Sequence, residues 1–346
     1  MPDRSLRVST FEKNSRTENF LQRSLTLRFL SVWLRSLYQG GFDMQTHHIS
    51  LLTRNAKQNV HFYTRVLGMR LIKNTVNQEN IKIRHLFYGD YLGTPGTVVT
   101  FFVLPLLGHR TDGNHYFNSI KLAIPLGSLD FWKQRLTNLG YETNNIDNGI
   151  EFDDPDQVKI KLVTTNELLT DTRIVADNDV PAANQITRLL GTELHVPDPE
   201  ATARFFHDWL GIPSNQNTVS LDNGQSIELF QSKDPTQRTR FGRGSIDHFA
   251  LAAPSKEKLL QYWERAKKLN LNTEEYADRG WFKSIYVRDP GDNRIEIATT
   301  SPGFSLDEPI LKLGNGLGLP PQFENKREEI LTYYDEQGVD FHDKDD

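Results

Sequence analysis

The chain of 346 residues contains no cysteine, and this absence excludes several kinds of site at once. Disulfide bonds, thiolate metal ligands and a cysteine nucleophile all need that residue. The absence also agrees with a cytosolic location, where disulfides are rare. No apolar run approaches the roughly 20 residues of a membrane-spanning helix. The net charge of -5 gives no electrostatic reason to expect nucleic acid or an anionic membrane as a partner.

Residues 1–43 do not share the pattern of the rest of the chain. Asn19–Gly41 contains arginines and no acids, and Leu21–Leu37 has the spacing of a basic amphipathic helix. Organelle-targeting and membrane-surface segments have such a composition. We prefer a simpler interpretation, because Met44 stands just before the first predicted strand. Residues 1–43 are then an N-terminal extension outside the fold, or the product of an upstream start codon.

The remainder of the chain repeats one unit, a strand followed by a helix and three strands. The clearest internal match aligns Asp154–Thr165 (DPDQVKIKLVTT) with Asp289–Thr300 (DPGDNRIEIATT) over twelve positions without a gap. Repeats at a fixed spacing indicate repeated structural units. Four such βαβββ modules are predicted, at about 46–105, 115–167, 188–232 and 244–301.

Pairing of the modules predicts the fold class. A single module leaves one sheet face uncovered, whereas two paired modules form a cupped sheet whose concave side suits a ligand. The chain is therefore predicted to be α+β, with two cupped, barrel-like mixed sheets. The predicted boundaries are a first domain at 44–167 (modules one and two), a linker at 168–187, a second domain at 188–303 (modules three and four) and a C-terminal tail at 304–346.

Two positions align between the modules, one on the first strand and one on the last. In only some modules these positions hold histidine or glutamate, residue types that bind metals and are called metal-type residues below. Module one has His48 and Thr100 there, and module four has His248 and Glu296. Pairing these two modules brings two imidazoles and one carboxylate into one cup, and the threonine leaves room. Non-haem Fe(II) oxygenases use this ligand set. Mn(II), Zn(II), Ni(II) and Co(II) accept the same ligands.

The other two modules have lost this chemistry. The same positions hold Ser119 and Lys161 in module two, and Gly191 and Glu228 in module three. A lysine at the position of the glutamate would repel a cation. The second cup is therefore not expected to hold a metal in the same way.

Each of these residues also has an interpretation that involves no metal. A lone histidine on an apolar strand is more often packed or hydrogen-bonded than ligating. Glu296 alternates with Ile295 and Ile297, which is also compatible with exposure to solvent. His47 competes with His48, because adjacent strand residues point to opposite faces and the apolar alternation does not choose between them. The repetition at corresponding positions favours the metal site.

These residues resemble the vicinal oxygen chelate superfamily, which includes glyoxalases, bleomycin resistance proteins and extradiol dioxygenases. Within it the chain is most similar to the ring-cleaving dioxygenases of hydroquinones and catechols, from Met44 to about Glu329. The tail of that family resembles Gly316–Ile330. The most specific stretches are His47–Ser50 (HHIS), His85–Phe102 (HLFYGDYLGTPGTVVTFF), Ser245–His248 (SIDH) and Asp278–Phe304 (DRGWFKSIYVRDPGDNRIEIATTSPGF).

The resemblance implies the vicinal oxygen chelate fold and a metal ion between the first and fourth modules. The implied metal is Fe(II), or alternatively Mn(II), and its implied ligands are His48, His248 and Glu296. The implied partners are an aromatic diol of the hydroquinone or catechol type and O2, both of whose atoms enter the product of an extradiol-type cleavage. The sequence also leaves room for a homo-oligomer.

Three further residues receive roles from the resemblance. In relatives, the residues that correspond to Arg279 and Tyr286 lie near the metal. The resemblance implies that Arg279 would stabilise an anionic oxygen and that Tyr286 would donate a hydrogen bond. Alternatively, Arg279 forms a salt bridge with Asp278 or another carboxylate. Some relatives have a histidine acid/base candidate where this chain has Asp247. The reference pKa of an aspartate is lower than that of a histidine, so Asp247 would be a different base. Alternatively, Asp247 only points out of the sheet.

Two other functions remain open at this point. Isomerases and lyases of the glyoxalase type use the same fold and ligands with Zn(II) or Ni(II), and they consume no oxygen. Resistance proteins of the superfamily bind a drug without a metal. The set of His48, His248 and Glu296 argues against the second alternative.

Overall fold

The computed structural model describes residues 44–215 and 217–342. The predicted N-terminal extension, residues 1–43, lies outside the described residues. The described residues belong to one compact unit. Within them, no helix has both the length and the apolar character needed to cross a membrane.

Within residues 44–215 and 217–342, seventeen strands occur in the order of the repeated modules. The first half contains β1 (Thr46–Thr53), β2 (Arg70–Val76), β3 (Arg84–Gly89), β4 (Val98–Val103), β5 (Tyr116–Phe117), β6 (Ser119–Pro125), β7 (Asn144–Ile146), β8 (Gly149–Asp153) and β9 (Lys159–Thr165). The second half contains β10 (Arg188–Val196), β11 (Ser214–Asn215), β12 (Thr218–Ser220), β13 (Ser226–Gln231), β14 (Ile246–Ala253), β15 (Asn272–Asp278), β16 (Lys283–Arg288) and β17 (Arg294–Thr299).

Each module has one main helix, and a fifth helix lies in the tail. The α-helices are α1 (Ala56–His61), α2 (Leu129–Asn138), α3 (Pro199–Leu210), α4 (Lys256–Lys268) and α5 (Arg327–Asp335). Short 3-10 turns lie at Asp171–Arg173, Ala182–Asn184, Asp222–Gly224, Phe304–Leu306, Ile310–Lys312 and Pro321–Lys326. Side chains cap several helix starts, because the first backbone N–H groups have no partner within the helix. Ser255 accepts from the N–H of Lys258, and Asp198 accepts from that of Ala201.

Two open mixed sheets contain these strands. Sheet one has the order β15-β16-β17-β14-β1-β4-β3-β2, so modules one and four form it together. Sheet two has the order β11-β12-β13-β10-β6-β9-β8-β7, with β5 against β10, so modules two and three form it. In both sheets the two first strands of the modules pair antiparallel at the centre, and each pairs in parallel with the last strand of its own module. The predicted α+β fold with two mixed sheets is confirmed, whereas the domain boundaries stay a prediction.

One continuous apolar core joins the four modules. Its largest fully buried side chains include Trp132, Trp209 and Tyr63. A second cluster, with Ile72, Phe87, Trp281, Phe282 and Phe304 among its members, joins strands of sheet one to the β15–β16 connection and to the start of the tail. The tail covers that sheet further with Leu319, Ile330, Tyr334 and Phe341 around Val76. The tail is therefore packed against the wall of sheet one.

Candidate metal centre

Three buried side chains of modules one and four converge on one point of sheet one. They are His48 on β1, His248 on β14 and Glu296 on β17. The Nε2 atoms of the two histidines lie 3.2 Å apart, and Glu296 Oε2 lies 3.3 Å from the first and 2.9 Å from the second. Ligand atoms of the three residues all lie within 4.8 Å of one another. Across 44–215 and 217–342, this is the only group of three or more such side chains with that convergence.

The register of the central strands produces this convergence. Strands β1 and β14 pair antiparallel, and β17 runs parallel to β14 so that Glu296 lies opposite Ala250, two residues after His248. Alternate residues of a strand share one face, so Glu296 and His248 point to the same side of the sheet. Glu296 is fully buried rather than exposed to solvent.

A β-bulge precedes each of the two histidines. In the pairing of β1 with β14, one extra residue lies between Thr46 and His48, and another lies just before His248. The extra residues are His47 and Asp247. A bulge interrupts strict alternation, so each of these side chains lies beside the histidine that follows it. His47 Nδ1 is 2.8 Å from His48 Nδ1, and Asp247 Oδ2 is 2.7 Å from His248 Nδ1.

These contacts fix which nitrogen of each ligand histidine faces the centre. His47 Nε2 lies 3.2 Å from the carbonyl oxygen of Thr299, which only accepts, so Nε2 carries a proton. Burial, helped by His48, lowers the pKa of His47 to about 3, so its Nδ1 accepts from His48 Nδ1. Asp247 accepts from His248 Nδ1 in the same way. Both Nε2 atoms are therefore left for a metal.

The charge balance of the centre also suits a cation. Burial alone would raise the pKa of Glu296, but His48 and His248 hold it well below its usual value. Burial alone would lower the pKa of His248, but the carboxylates of Glu296 and Asp247 raise it on balance. Glu296 Oε1 accepts from Ser284 Oγ, whereas Oε2 is buried with no hydrogen bond of good geometry among the described residues. Two imidazole nitrogens and this carboxylate oxygen fit a divalent metal ion.

Arg279 and Tyr286 stand together next to the centre. Arg279 Nε donates to the Tyr286 hydroxyl at 3.4 Å, and Arg294 lies 4.0 Å above the centroid of the Tyr286 ring. Burial, followed by the Glu296 charge, raises the pKa of Tyr286, which keeps its hydroxyl protonated. Arg279 also forms ion pairs with Glu79 (2.8 Å) and Glu275 (2.9 Å). The predicted alternative of a salt bridge with a nearby carboxylate therefore coexists with a position beside Tyr286.

A cavity of about 260 Å³ opens next to the three metal-type residues. Its walls include the aromatic rings of Phe87, Phe102, Trp281 and Phe282. The ring centroid of Phe282 lies 5.6 Å from that of His48. Arg279, Tyr286 and Asp247 reach the same cavity. An aromatic molecule with polar substituents matches these walls, because apolar surface with a few polar groups is typical of small-molecule sites.

Sheet two has ion pairs at the positions that correspond to the metal-type residues. Lys161 pairs with Glu193, and Lys121 pairs with Glu228. Each pair joins one residue of module two to one of module three. The cations of two lysine side chains thus occupy the concave side of this sheet.

The structure brings all six predicted site residues to one cavity: His48, His248, Glu296, Arg279, Tyr286 and Asp247. Asp247 contacts His248 and lines the cavity, so the alternative in which it only points out of the sheet does not match the structure. Their roles stay predictions. The sequence predicts no role for three further residues. Ser284 donates to Glu296, Thr299 accepts from His47, and His85 lines the cavity. Strand alternation was an available signal for Ser284, which lies two residues from Tyr286, and His85 opens the stretch His85–Phe102 that carries the family resemblance.

Comparison with known proteins gives matches over most of the chain. Residues 45–162 and 186–297 match the family described as the Glyoxalase/Bleomycin resistance protein/Dioxygenase superfamily. The first range includes His48, and the second includes His248 and Glu296. The chain is 31% identical over 303 residues to a protein of Bacillus subtilis (strain 168) that is provisionally named ring-cleaving dioxygenase MhqA. That alignment covers 82% of this chain and 96% of the relative.

Two further matches agree with the first. The chlorohydroquinone/hydroquinone 1,2-dioxygenase of Sphingobium indicum is 25% identical over 325 residues, with 82% of this chain and 94% of that protein covered. A crystal structure from Bacillus subtilis, provisionally described as a dioxygenase, superposes with a TM-score of 0.76 at 29% identity. It covers 85% of this chain and 96% of that one. The similarity thus extends over both sheets.

Proposed function

Because the chain belongs to the Glyoxalase/Bleomycin resistance protein/Dioxygenase superfamily, we propose that it is a ring-cleaving dioxygenase dependent on Fe(II), with Mn(II) as the alternative metal. Its proposed substrates are O2 and an aromatic diol of the hydroquinone or catechol type. The observation that carries the proposal is the convergence of two imidazoles and one carboxylate within 4.8 Å beside an aromatic-walled cavity. The names of the relatives, two of which specify ring cleavage or hydroquinone, support the same reaction class.

The metal is proposed to bind to His48 Nε2, His248 Nε2 and Glu296 Oε2. A ferrous ion bound there would acidify a phenolic hydroxyl and transfer electron density from the diol to O2. His48, His248 and Glu296 all line the cavity, so a diol bound in the cavity would reach a metal that they hold. His47 and Asp247 hold the two imidazoles in the orientation that this binding requires.

Arg279 and Tyr286 are proposed to act on the oxygen that becomes anionic when the ring opens. The guanidinium of Arg279 is held in place by Glu79 and Glu275, so its charge is fixed before the reaction. The Tyr286 hydroxyl, kept protonated by burial, is a hydrogen-bond donor to the same oxygen. The aromatic walls exclude water from the ring.

We propose that Asp247 orients His248 rather than removing a proton from the substrate. Burial alone would raise the pKa of Asp247, but the hydrogen bond from His248 and the charges of His248 and Arg294 lower it on balance. A carboxylate with a lowered pKa is a weak base at neutral pH. Its Oδ2 atom already accepts from His248.

Anaerobic purification followed by elemental analysis and an oxygen electrode tests the proposed function. About one iron per chain and oxygen uptake that depends on 2-methylhydroquinone or catechol are expected. Zinc or nickel with no uptake would instead indicate chemistry of the isomerase or lyase type. A protein without any metal would contradict the proposed centre. The cytosolic location and a homo-oligomeric state stay predictions.

Variants sharpen that test. Replacing His48, His248 or Glu296 with alanine is expected to abolish metal binding, because each change removes one of three ligands. Glu228→Ala and His195→Ala are matched controls in sheet two and should keep the metal. Glu228 has the position of Glu296 in the repeat. Stoichiometric metal in the Glu296→Ala protein would contradict the assignment of the ligands.

A further inference from the structure

His85 is a fourth imidazole in the cavity, and the proposed mechanism does not use it. It lies on β3, its side chain is half-buried, and it borders the cavity together with the three metal-type residues. Its Nε2 atom is 2.9 Å from Thr100 Oγ1, which in turn is 2.8 Å from Ser50 Oγ. A chain of three hydrogen-bonded polar side chains therefore reaches the cavity from module one.

The repeat shows that this chain of side chains corresponds to part of the metal centre in module four. Thr100 has the same position in module one as Glu296 has in module four, and His85 corresponds to Ser284 in the same way. His85 lies opposite Phe102, two residues after Thr100, and Ser284 lies opposite Ala298, two residues after Glu296. Ser284 donates to Glu296. In module one the same pair of positions contains no proposed metal ligand, and Thr100 Oγ1 contacts His85 Nε2 and Ser50 Oγ instead.

The surroundings fix the imidazole of His85 and leave one nitrogen without a partner. The ring centroid lies 4.1 Å from that of Phe87 and 4.0 Å from that of Phe102. Burial lowers the pKa of His85 well below its usual value, with the nearby histidines adding to this effect. A neutral imidazole has one donor and one acceptor nitrogen. Nε2 contacts Thr100, whereas Nδ1 has no hydrogen-bond partner within 44–215 and 217–342.

Neighbouring polar side chains of the same module are already bonded. Gln78 donates to the backbone carbonyl of Arg279 at 2.7 Å, and Glu79 forms an ion pair with the Arg279 guanidinium. Phe87, Phe102 and Leu104 are apolar parts of the lining. His85 Nδ1 therefore remains as a polar atom available to a ligand in this part of the cavity.

We propose that His85 is a substrate-binding residue, and that its Nδ1 atom forms a hydrogen bond with the hydroxyl of the diol that does not bind the metal. This inference rests on the proposed function. A catechol presents two adjacent oxygens to a metal, whereas a hydroquinone has its second hydroxyl on the opposite side of the ring. The contact with His85 therefore selects diols of the hydroquinone type.

The test compares hydroquinone with 4-methylphenol, which replaces the second hydroxyl with a methyl group. Both are titrated into metal-loaded protein without oxygen, and the heat of binding gives two dissociation constants. One neutral hydrogen bond predicts that the wild type binds hydroquinone roughly five- to tenfold more tightly. In His85→Leu this ratio is expected to fall to about one.

Two conservative variants separate the two nitrogens of the ring. The amide of His85→Asn lies near the position of Nδ1 and should keep most of the preference for hydroquinone. The amide of His85→Gln lies near Nε2, so it keeps the contact with Thr100 and loses the preference. His195→Leu is the matched control, because His195 also stacks between two aromatic rings, Tyr116 and Phe230, but in sheet two. Its ratio should equal that of the wild type.

The outcomes distinguish the two proposals. A wild type that binds neither metal nor hydroquinone overturns the proposed function and the role of His85 with it. A wild type that binds both, together with an unchanged ratio in His85→Leu, overturns only the role of His85. If His85→Leu does not fold, equal ratios in the Asn and Gln variants overturn it instead.

Discussion

His47 and Asp247 each hold the Nδ1 atom of the histidine that follows. Both are the extra residue of a bulge on one of the two central strands. One partner is a neutral imidazole and the other a carboxylate, so the two proposed ligands are not equivalent. The carboxylate would make the imidazole of His248 the more electron-rich of the two.

Asp247→Ala removes the acceptor of His248 Nδ1–H and is expected to lower metal affinity about 10- to 100-fold. The affinity is measured by competition with a chelator of known strength. Asn118→Ala is the matched control, because Asn118 has the position of Asp247 in the repeat and contacts Glu193 in sheet two. Equal affinity in Asp247→Ala and the wild type would show that Asp247 does not support the ligand.

The positions of the proposed ligands follow from the sequence, but their local geometry does not. Internal alignment of the modules brings His248 and Glu296 together with the His47–His48 pair, and the family resemblance selects His48. Alternation could not choose between His47 and His48, because the bulge breaks the alternation at that point. The position of Asp247 beside His248 has the same cause. A bulge depends on the pairing of two strands distant in the chain, which a single strand pattern does not contain.

At the scale of elements, the same aspartate turn occurs in modules two and four. Asp154 Oδ1 accepts from the backbone N–H groups of Asp156 and Val158, and Asp289 Oδ1 accepts from that of Asn293. Both aspartates are buried. Burial raises the pKa of Asp154 to about 7 and that of Asp289 to about 6, against the backbone hydrogen bonds that lower both. The shared turn explains the clearest repeat in the sequence.

Asp154→Asn is expected to change how stability depends on pH. Between about pH 4 and pH 7 the folded protein keeps a proton at Asp154 that the unfolded chain releases, so the free energy of unfolding falls as pH rises. The wild type should therefore lose roughly 2–4 kcal/mol relative to Asp154→Asn between pH 4.5 and pH 7.5. Urea unfolding at several pH values measures this difference. A difference between Asp154→Asn and the wild type that stays constant with pH would refute the prediction.

A buried lysine attaches the tail to sheet one. Lys73 on β2 forms ion pairs with Asp307, at 2.7 Å, and with Glu308. Trp281 Nε1 donates to Asp307 as well. The lysine side chain is fully buried, and these two carboxylates are its ion-pair partners.

Lys73→Met is expected to lower the free energy of unfolding by about 3–5 kcal/mol, because it leaves two carboxylates near the interior without their cation. Denaturation with urea at constant pH measures the loss. The triple variant Lys73→Met, Asp307→Asn and Glu308→Gln removes all three charges and should recover most of the stability. A Lys73→Met protein as stable as the wild type would mean that solvent reaches the carboxylates.

Element boundaries were predictable to different degrees. The sequence pattern predicts a helix at Pro199–Leu210 and a strand at Ser226–Gln231, and the structure has both with these ends. It also predicts that the first helix runs from Ala56 to Leu67, but this helix changes after His61 into a π-helical turn at Phe62–Val66, in which Phe62 and Tyr63 are both buried. The apolar spacing of this segment did not reveal the wider turn. The middle strands of module three, β11 and β12, are only two and three residues long, too short for a periodic signal.

At the scale of the whole molecule, each sheet combines one module from the first half of the chain with one module from the second half. Modules one and four form sheet one, and modules two and three form sheet two. The repeat predicts this pairing, because only modules one and four have a histidine at the aligned position of the first strand. Strand order within the sheets depends on long-range contacts and was not predicted.

Expressing residues 44–187 and 188–346 as separate chains tests this arrangement. Either fragment alone is expected to bind less than about a tenth of one metal ion per chain, because His48 lies in one fragment and His248 and Glu296 in the other. Co-expression should restore metal binding in a complex of the two fragments, as measured by elemental analysis after size-exclusion chromatography. The same complex with Glu296→Ala is the control without metal. A single fragment that binds stoichiometric metal would contradict the shared site.

The pairing of β1 with β14 also has a consequence for protein synthesis. About 250 residues separate His48 from Glu296, and ribosomes add roughly 5–20 residues per second. A nascent chain therefore carries the first imidazole for on the order of ten seconds to a minute before the carboxylate exists. Until β14 is synthesised, β1 has no partner on that side, and such an open edge attracts other chains. The complete set of proposed ligands exists only in chains that extend past Glu296, so products of termination before Glu296 lack the carboxylate.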